Sequence, residues 1–265
     1  MTRIAIGQYY PTNSVIHRTD PRVKLTGTMF LITALFFVNN FAGYGVAALF
    51  VLLVVRLAKV PVLFLMRGFR PLLFVLIFMV VINLFMTPGE NLLFGIWFLR
   101  VTMEGISMAT QMALRLLLLI AGSSILTLTT SPIELTGGIE ALLKPLKPLK
   151  VPAHDIAMLM TIALRFIPTL AEEMDKIMKA QKARGAELDT GSLLKRAKSL
   201  LPILVPLFVS AFKRADELAT AMEARCYRGD VNRTRMKVMR ITKMDFVAAG
   251  AVVVFGVLLF LTRLM

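Results

Sequence analysis

Residues Leu25 to Val55 read LTGTMFLITALFFVNNFAGYGVAALFVLLVV, 31 consecutive residues without a charge. As one helix the stretch would extend about 46 Å against a hydrocarbon core of about 30 Å, so a single crossing leaves too much apolar chain over. Asn39-Asn40, followed by Gly43 and Gly45, supplies a turn near the middle. Each half then crosses once, with Lys24, Arg56 and Lys59 snorkelling to the surface. The stretch predicts two membrane spans joined by an external turn.

The whole chain agrees with a lipid solvent. Of 265 residues 57% are apolar and 18% charged, and the mean hydropathy is +0.74. A chain this short cannot hide that much Leu, Val, Phe and Met inside itself, which excludes a soluble globular protein. The net charge of +15 would suit a nucleic-acid binder were it not for its distribution. Of 31 Lys and Arg, 28 fall before Leu25, between Arg56 and Arg70, or between Ser131 and Lys243, segments that can share one face. The positive-inside rule makes that face, and the N-terminus, cytoplasmic. Cys226 is the only cysteine and His17 and His154 the only histidines, so neither an intrachain disulfide nor a metal cluster is expected. The first 22 residues have no sustained apolar run and no small-residue cleavage site, so no removable signal peptide is expected.

Three more spans follow. Pro71 to Gly89 is uncharged and ends at a Thr-Pro-Gly turn signal. Asn91 to Leu99, with Trp97, is too short to cross and reads as interfacial. The fourth span runs from about Gly105 to Thr130 and contains Arg115, which is costly in hydrocarbon and marks a pathway or a buried pair. Glu104, about three turns of helix away, is too far to pair with it. The last span is Phe246 to Thr262.

Between these spans, Ser131 to Lys243 cannot cross, because its longest uncharged stretch, Ser199 to Phe212, has 14 residues and contains Pro202 and Pro206. Its apolar residues instead recur at helical spacing, as in Leu159, Ile162, Ala163, Phe166 and Ile167. A first helix starts at Ser131-Pro132 with Glu134 and ends at the Pro-rich run Pro145 to Pro152. A second covers about Ala153 to Arg184, bent at Pro168, and a third about Ser192 to Arg225, kinked at Pro202 or Pro206. The expected fold is an all-α polytopic membrane protein with about five transmembrane helices and long cytoplasmic amphipathic helices. Residues 1–130 carry four spans, 131–243 the cytoplasmic helices and 244–265 the last span.

Sliding the cytoplasmic segment by 41 residues aligns Asp175, Ile177, Ala180, Ala183, Arg184 and Gly185 with Asp216, Leu218, Ala221, Ala224, Arg225 and Cys226. The shared pattern is D-x-[IL]-x-x-A-x-x-A-R-[GC]. Each arginine stands near the end of a long helix, with small residues beside it that let another helix approach. One such arginine only complements a helix dipole. Two, each after the same pattern, read as planar charged forks for two carboxylate-lined sockets, a task for which Lys is less suited.

On these residues the chain resembles the transmembrane T component of energy-coupling-factor transporters. The resemblance covers nearly its whole length, including His17-Arg18-Thr19-Asp20-Pro21-Arg22-Val23-Lys24-Leu25, the span order and the two Ala-Arg-Gly-like signatures, Ala183-Arg184-Gly185 and the divergent Ala224-Arg225-Cys226. It implies a scaffold in a bacterial cytoplasmic membrane, the energy-coupling subunit of an ATP-driven importer of vitamins or metal ions. It implies as partners two ATP-binding cassette ATPases docked on Arg184 and Arg225, and a substrate-binding membrane S component moved by the coupling helices. ATP and Mg belong to the ATPases, no cofactor to this chain, and the capture protein decides the substrate.

Met158, Met160, Met174, Met178 and Met222 are the candidate contacts with the S component, since flexible thioethers suit a surface that accepts several partners. Two other classes compete. A metal-dependent lipid phosphotransferase needs spaced aspartates around its Ala-Arg, whereas here Lys176 follows Asp175 and only Glu187 and Asp189 come closely after Arg184. A P-loop is also missing from the sequence, so no catalytic role is expected. The alternative is a stand-alone secondary transporter or channel using Arg115, but five spans without an inverted repeat argue against it.

Overall fold

The structure, a computed structural model, describes residues 9–88, 92–96, 99–186, 192–229 and 241–264. Trp97, Glu187 and Asp189 lie outside these residues. Close packing divides the chain into two units, one built from the described parts of 7–142 and 238–265, the other from those of 143–237.

The first unit begins with the short helix α1 (Val15–Arg18), followed by α2 (Pro21–Phe36) and α3 (Phe41–Ala58). Asp20 caps α2 by accepting from Arg22 N, and Pro21 takes the first-turn position where a missing N–H costs nothing. The expected turn at Asn39-Asn40 is present: α2 stops at Phe36 and Asn40 precedes α3. Next come α4 (Val62–Phe69), a one-turn 3₁₀ helix (Arg70–Leu72) and α5 (Leu73–Met86). The third span therefore starts well before the expected Pro71. Proline there sits in the first turn of the 3₁₀ segment, a position that needs no N–H, so it does not end the helical run.

The stretch expected to be interfacial enters an antiparallel strand pairing that the sequence did not suggest. Strand β1 (Leu92–Ile96) pairs antiparallel with β2 (Leu99–Thr102), Ile96 opposite Leu99 and Leu92 opposite Thr102. These are the only strands among the described residues, and the architecture is otherwise helical. Then follow α6 (Met103–Thr129), α7 (Pro132–Leu143) and, closing the chain, α10 (Lys243–Leu264).

Among the described residues five helices are long and apolar enough to cross a membrane: Phe41–Ala58, Leu63–Met86, Met103–Thr129, Ala153–Ala183 and Lys243–Arg263. Four match the expected spans. The fifth expected span is α2, whose 16 residues extend about 24 Å because the turn takes Phe37 to Asn40. In its place stands Ala153–Ala183, which contains Asp155 and Arg165 in its first half and Glu172, Glu173, Asp175, Lys176, Lys179 and Lys182 in its second.

The core of this unit joins α2, α3, α6 and α10, with Leu35, Ala47 and Ala58 fully buried and Phe50 stacked on Phe255 at 4.3 Å. In lipid such contacts gain by close packing rather than by leaving water. Gly122 shows how close: a Cβ there would lie 2.5 Å from Leu31 Cδ2. Outward, Leu49, Leu52, Phe74 and Val247 stay exposed, the apolar surface expected of spans facing lipid.

Two buried charges tie the helix ends together. Lys24 donates through Nζ to His17 O at 3.2 Å and Thr129 O at 3.0 Å, joining α1, α2 and the end of α6. Asp245 accepts from Asp20 N at 2.6 Å, from Thr242 N at 2.6 Å and from Thr242 Oγ1 at 2.8 Å. Its place three residues after Thr242 makes the carboxylate half of a capping box, and its bond to Asp20 N also fastens α10 to α2. His17 Nε2 donates to Tyr10 O at 2.9 Å, which leaves Nδ1 to meet Ser14 Oγ at 2.7 Å. His17, Asp20 and Lys24 of the His17 to Leu25 stretch thus bond to neighbouring backbone, while the buried Arg22 Nε makes only a 3.9 Å ion pair with Asp20.

Arg115 has a partner the sequence did not suggest. It donates through Nη2 to Val38 O at 2.8 Å, in the turn between α2 and α3, and lies 5.9 Å from the centre of the Tyr44 ring. The Tyr44 hydroxyl donates to the same carbonyl at 3.0 Å.

Candidate functional site

The second unit opens with a 3₁₀ helix (Lys144–Leu149), formed by the proline-rich run expected to end the preceding helix. Two long helices follow, α8 (Ala153–Ala183) and α9 (Leu193–Ala224). Helix α8 runs through Pro168, and α9 through Pro202 and Pro206, without interruption of the helix.

Three contacts set the direction of the pair. Tyr227, just past the end of α9, donates to Met158 Sδ at 2.8 Å and lies 3.3 Å from His154 Nε2, near the start of α8. Midway, Arg214 Nη2 bonds Glu173 Oε2 at 2.8 Å. Near the end of α8, Gln181 Nε2 donates to Pro202 O at 3.4 Å. The helices therefore run antiparallel. The last contact also has a local cause: Pro206 lacks the N–H that would bond the carbonyl four residues earlier, and Gln181 supplies a donor to it.

The two signatures share one backbone geometry. Arg184 is the C-cap of α8 and Gly185, one residue beyond, has φ of 85°. Gly185 N donates to Lys182 O at 3.0 Å and Ala186 N to Gln181 O at 3.0 Å. Arg225 is the C-cap of α9 and Cys226 has φ of 54°. Cys226 N donates to Glu223 O at 2.8 Å and Tyr227 N to Met222 O at 3.0 Å. Both are Schellman caps, in which a left-handed residue turns the chain back on the last carbonyls. The Gly-to-Cys departure leaves the cap intact, at the steric cost of a side chain in left-handed backbone.

Ala183, Arg184 and Gly185 are exposed, as are Ala224, Arg225 and Cys226. Neither arginine side chain has a hydrogen-bond or ion-pair partner among the described residues. The structure does not bring the two together. Antiparallel packing sets them at opposite ends of the pair, Arg225 level with the first turns of α8, so that roughly 35 Å of helix separates them.

The methionines are placed less uniformly. Met160 is exposed, while Met158, Met174, Met178 and Met222 are half-buried, Met158 beneath Tyr227. A larger exposed apolar stripe lies on α9, with Leu201, Val205, Phe208 and Phe212 at 54, 60, 61 and 70% exposure, while Ile203 turns inward at 3%. Its spacing of four, three and four residues marks one helix face. The uncharged stretch Ser199 to Phe212 carries that signal in the sequence, independently of the methionines.

The sequence model of the cobalt transport protein family, CbiQ, matches residues 12–237. The energy-coupling factor transporter transmembrane protein EcfT of Ruminiclostridium cellulolyticum is 53% identical over 252 residues, covering 95% of this chain and 94% of that protein. EcfT of Thermosediminibacter oceani is 53% identical over 261 residues, covering 97% and 98%. EcfT of Bacillus subtilis is 45% identical over 263 residues, covering 99% of each. With these matches covering nearly the whole chain, spans and paired helices alike, this chain belongs to the EcfT family, the transmembrane proteins of energy-coupling factor transporters.

Proposed function

We propose that the chain is the non-catalytic energy-coupling scaffold of an ATP-driven micronutrient importer in a bacterial cell membrane, with its N-terminus and the helices α8 and α9 on the cytoplasmic side. Two ATP-binding cassette ATPases, which hold ATP and Mg, dock on the two tips. Arg184 and Arg225 each enter a carboxylate-lined socket, and Ala183, Gly185, Ala224 and Cys226 keep the surroundings small enough for close approach. The observation that carries this reading is the same Schellman hydrogen-bond pattern beneath two exposed arginines at opposite ends of one antiparallel pair. Two sites of the same design suit two copies of the same partner.

ATP binding closes the ATPases and changes the distance or angle between their sockets. Long helices fixed at both ends cannot absorb that motion locally, because close-packed contacts switch between discrete arrangements rather than stretch. The pair therefore tilts, and with it the S component resting on its apolar surface. That surface comprises Leu201, Val205, Phe208 and Phe212 together with Met160 and the half-buried Met158, Met174, Met178 and Met222. The identity of the vitamin or metal ion resides in the S component.

The test is charge reversal at both tips. Arg184→Glu with Arg225→Glu leaves the protein inserted in the membrane but without co-purifying ATPases. ATPases retained by the double variant at normal stoichiometry would refute the docking assignment.

A further inference from the structure

We infer that the 3₁₀ segment Lys144–Leu149, with Lys150 after it, is a docking element for the anionic phospholipid surface of the bilayer. The sequence Lys-Pro-Leu-Lys-Pro-Leu-Lys repeats every three residues. The backbone it adopts also repeats every three, because a 3₁₀ helix has three residues per turn and eclipses positions i and i+3. Lys144 and Lys147 accordingly form one edge, Leu143, Leu146 and Leu149 a second, and Pro145 and Pro148 a third. In an α-helix the same three-residue step drifts by about 60°, so each edge would widen into a broad arc instead of a line.

The leucine edge turns outward: Leu146 is 38% exposed and Leu149 73%. All three lysines are exposed, and Lys150, the left-handed C-cap, carries their spacing one step further. Between Glu140 and Asp155 the sequence contains no acidic residue. An apolar edge beside a cationic edge matches the boundary of a bilayer, where acyl chains lie beneath phosphate groups. Charge complementarity selects the anionic lipids, since cations near such a surface each add to binding. The prolines hold φ close to the 3₁₀ value, so little order remains to be imposed on docking. In sequence the element is separated from the end of α6 only by Thr130, Ser131 and the 12 residues of α7.

The experiment uses the full-length chain carrying Cys226→Gly, reconstituted in nanodiscs of phosphatidylcholine with or without phosphatidylglycerol. A fluorophore on Leu149→Cys is quenched either by spin-labelled lipid or by aqueous iodide. With phosphatidylglycerol, lipid quenching is strong and iodide quenching weak. Without it, or with Lys144, Lys147 and Lys150 all changed to Gln, the docked-to-undocked ratio falls by roughly 100-fold and the quenching pattern inverts. A label on Leu146→Cys gives the same pattern and guards against a local effect of the first probe. Lipid quenching indifferent to phosphatidylglycerol and to the lysines would overturn the inference. So would iodide access under every condition, or shielding from both quenchers that depends on an added protein.

Discussion

Glu173 and Arg214 occupy equivalent positions of the two repeated helical segments, 41 residues apart, and bond to each other at 2.8 Å where α8 and α9 lie side by side. The antiparallel packing thus places two residues related by the sequence repeat face to face. The pair lies midway between the tips and fixes the register of one helix on the other. Its side chains are 29% and 38% exposed, which limits its worth to about 0.2–1 kcal/mol. Glu173→Arg and Arg214→Glu each place like charges together and lower the thermal midpoint of the purified complex. The exchange of both recovers most of the loss. A double-mutant cycle with no coupling beyond error would show that packing alone holds the register.

The separation of the tips makes single variants informative. On the proposed docking, Arg184→Glu and Arg225→Glu each remove one anchor, and native mass spectrometry of each should find the complex with one ATPase weakened and the other retained. Arg184→Lys keeps the charge but loses the planar fork, and falls between wild type and Arg184→Glu in ATPase retention. Equal loss of both ATPases from either single reversal would indicate one shared socket.

Cys226 offers a gain. With φ of 54°, its side chain is held in left-handed backbone, which costs a non-glycine residue about 1–2 kcal/mol. Cys226→Gly relieves this, less the greater freedom of glycine in the unfolded chain, for a net of about 0.5–1 kcal/mol. Cys226→Val, β-branched, moves the other way, as does Gly185→Ala at φ of 85°. Thermal unfolding of purified protein distinguishes the order Gly, Cys, Val at 226.

Val38 O accepts from both Arg115 and Tyr44, at 2.8 and 3.0 Å, beside a Tyr44 ring that is only 2% exposed. Removing either donor leaves the carbonyl with the other. Arg115→Met and Tyr44→Phe therefore combine worse than additively, with a coupling of about 1 kcal/mol or more, because only the double variant leaves a buried acceptor unmet. Unfolding midpoints of the two single variants and the double variant measure it.

Legibility followed the range of the interactions. The break in the apolar stretch from Leu25 to Val55 was readable because bilayer thickness and Asn39-Asn40 act within one segment, and both arginine tips were readable because a helix cap is local. The antiparallel pairing that parts those tips was not. It rests on Tyr227 reaching Met158 and Arg214 reaching Glu173, contacts with no mark in either helix alone. Arg115 pairs not with a carboxylate but with a backbone carbonyl, an acceptor that every residue carries and no sequence displays. Pro71 misled because proline breaks a helix interior yet is accommodated in a first turn. The pairing of Leu92–Ile96 with Leu99–Thr102 is not legible in the sequence because the first strand is apolar enough to suggest lipid, while its partner includes Arg100.

Asp245 receives three short hydrogen bonds at 2% exposure, two through Thr242 and one from Asp20 N, so both of its oxygens are committed as acceptors. Asp245→Asn turns one of those oxygens into a donor facing an N–H, breaking either the cap of α10 or the link to α2 at a cost of about 1.5–3 kcal/mol. Thr242→Ala removes only the hydroxyl donor and costs about 1 kcal/mol. Asp20→Ala keeps the backbone N–H that Asp245 uses, losing instead the cap on Arg22 N, so its effect adds to that of Thr242→Ala. Thermal unfolding in detergent should rank Asp245→Asn as the most damaging of the three. Were Thr242→Ala equally damaging, the hydroxyl contact alone would account for the role of the carboxylate, and its bonds to Thr242 N and Asp20 N would carry no weight.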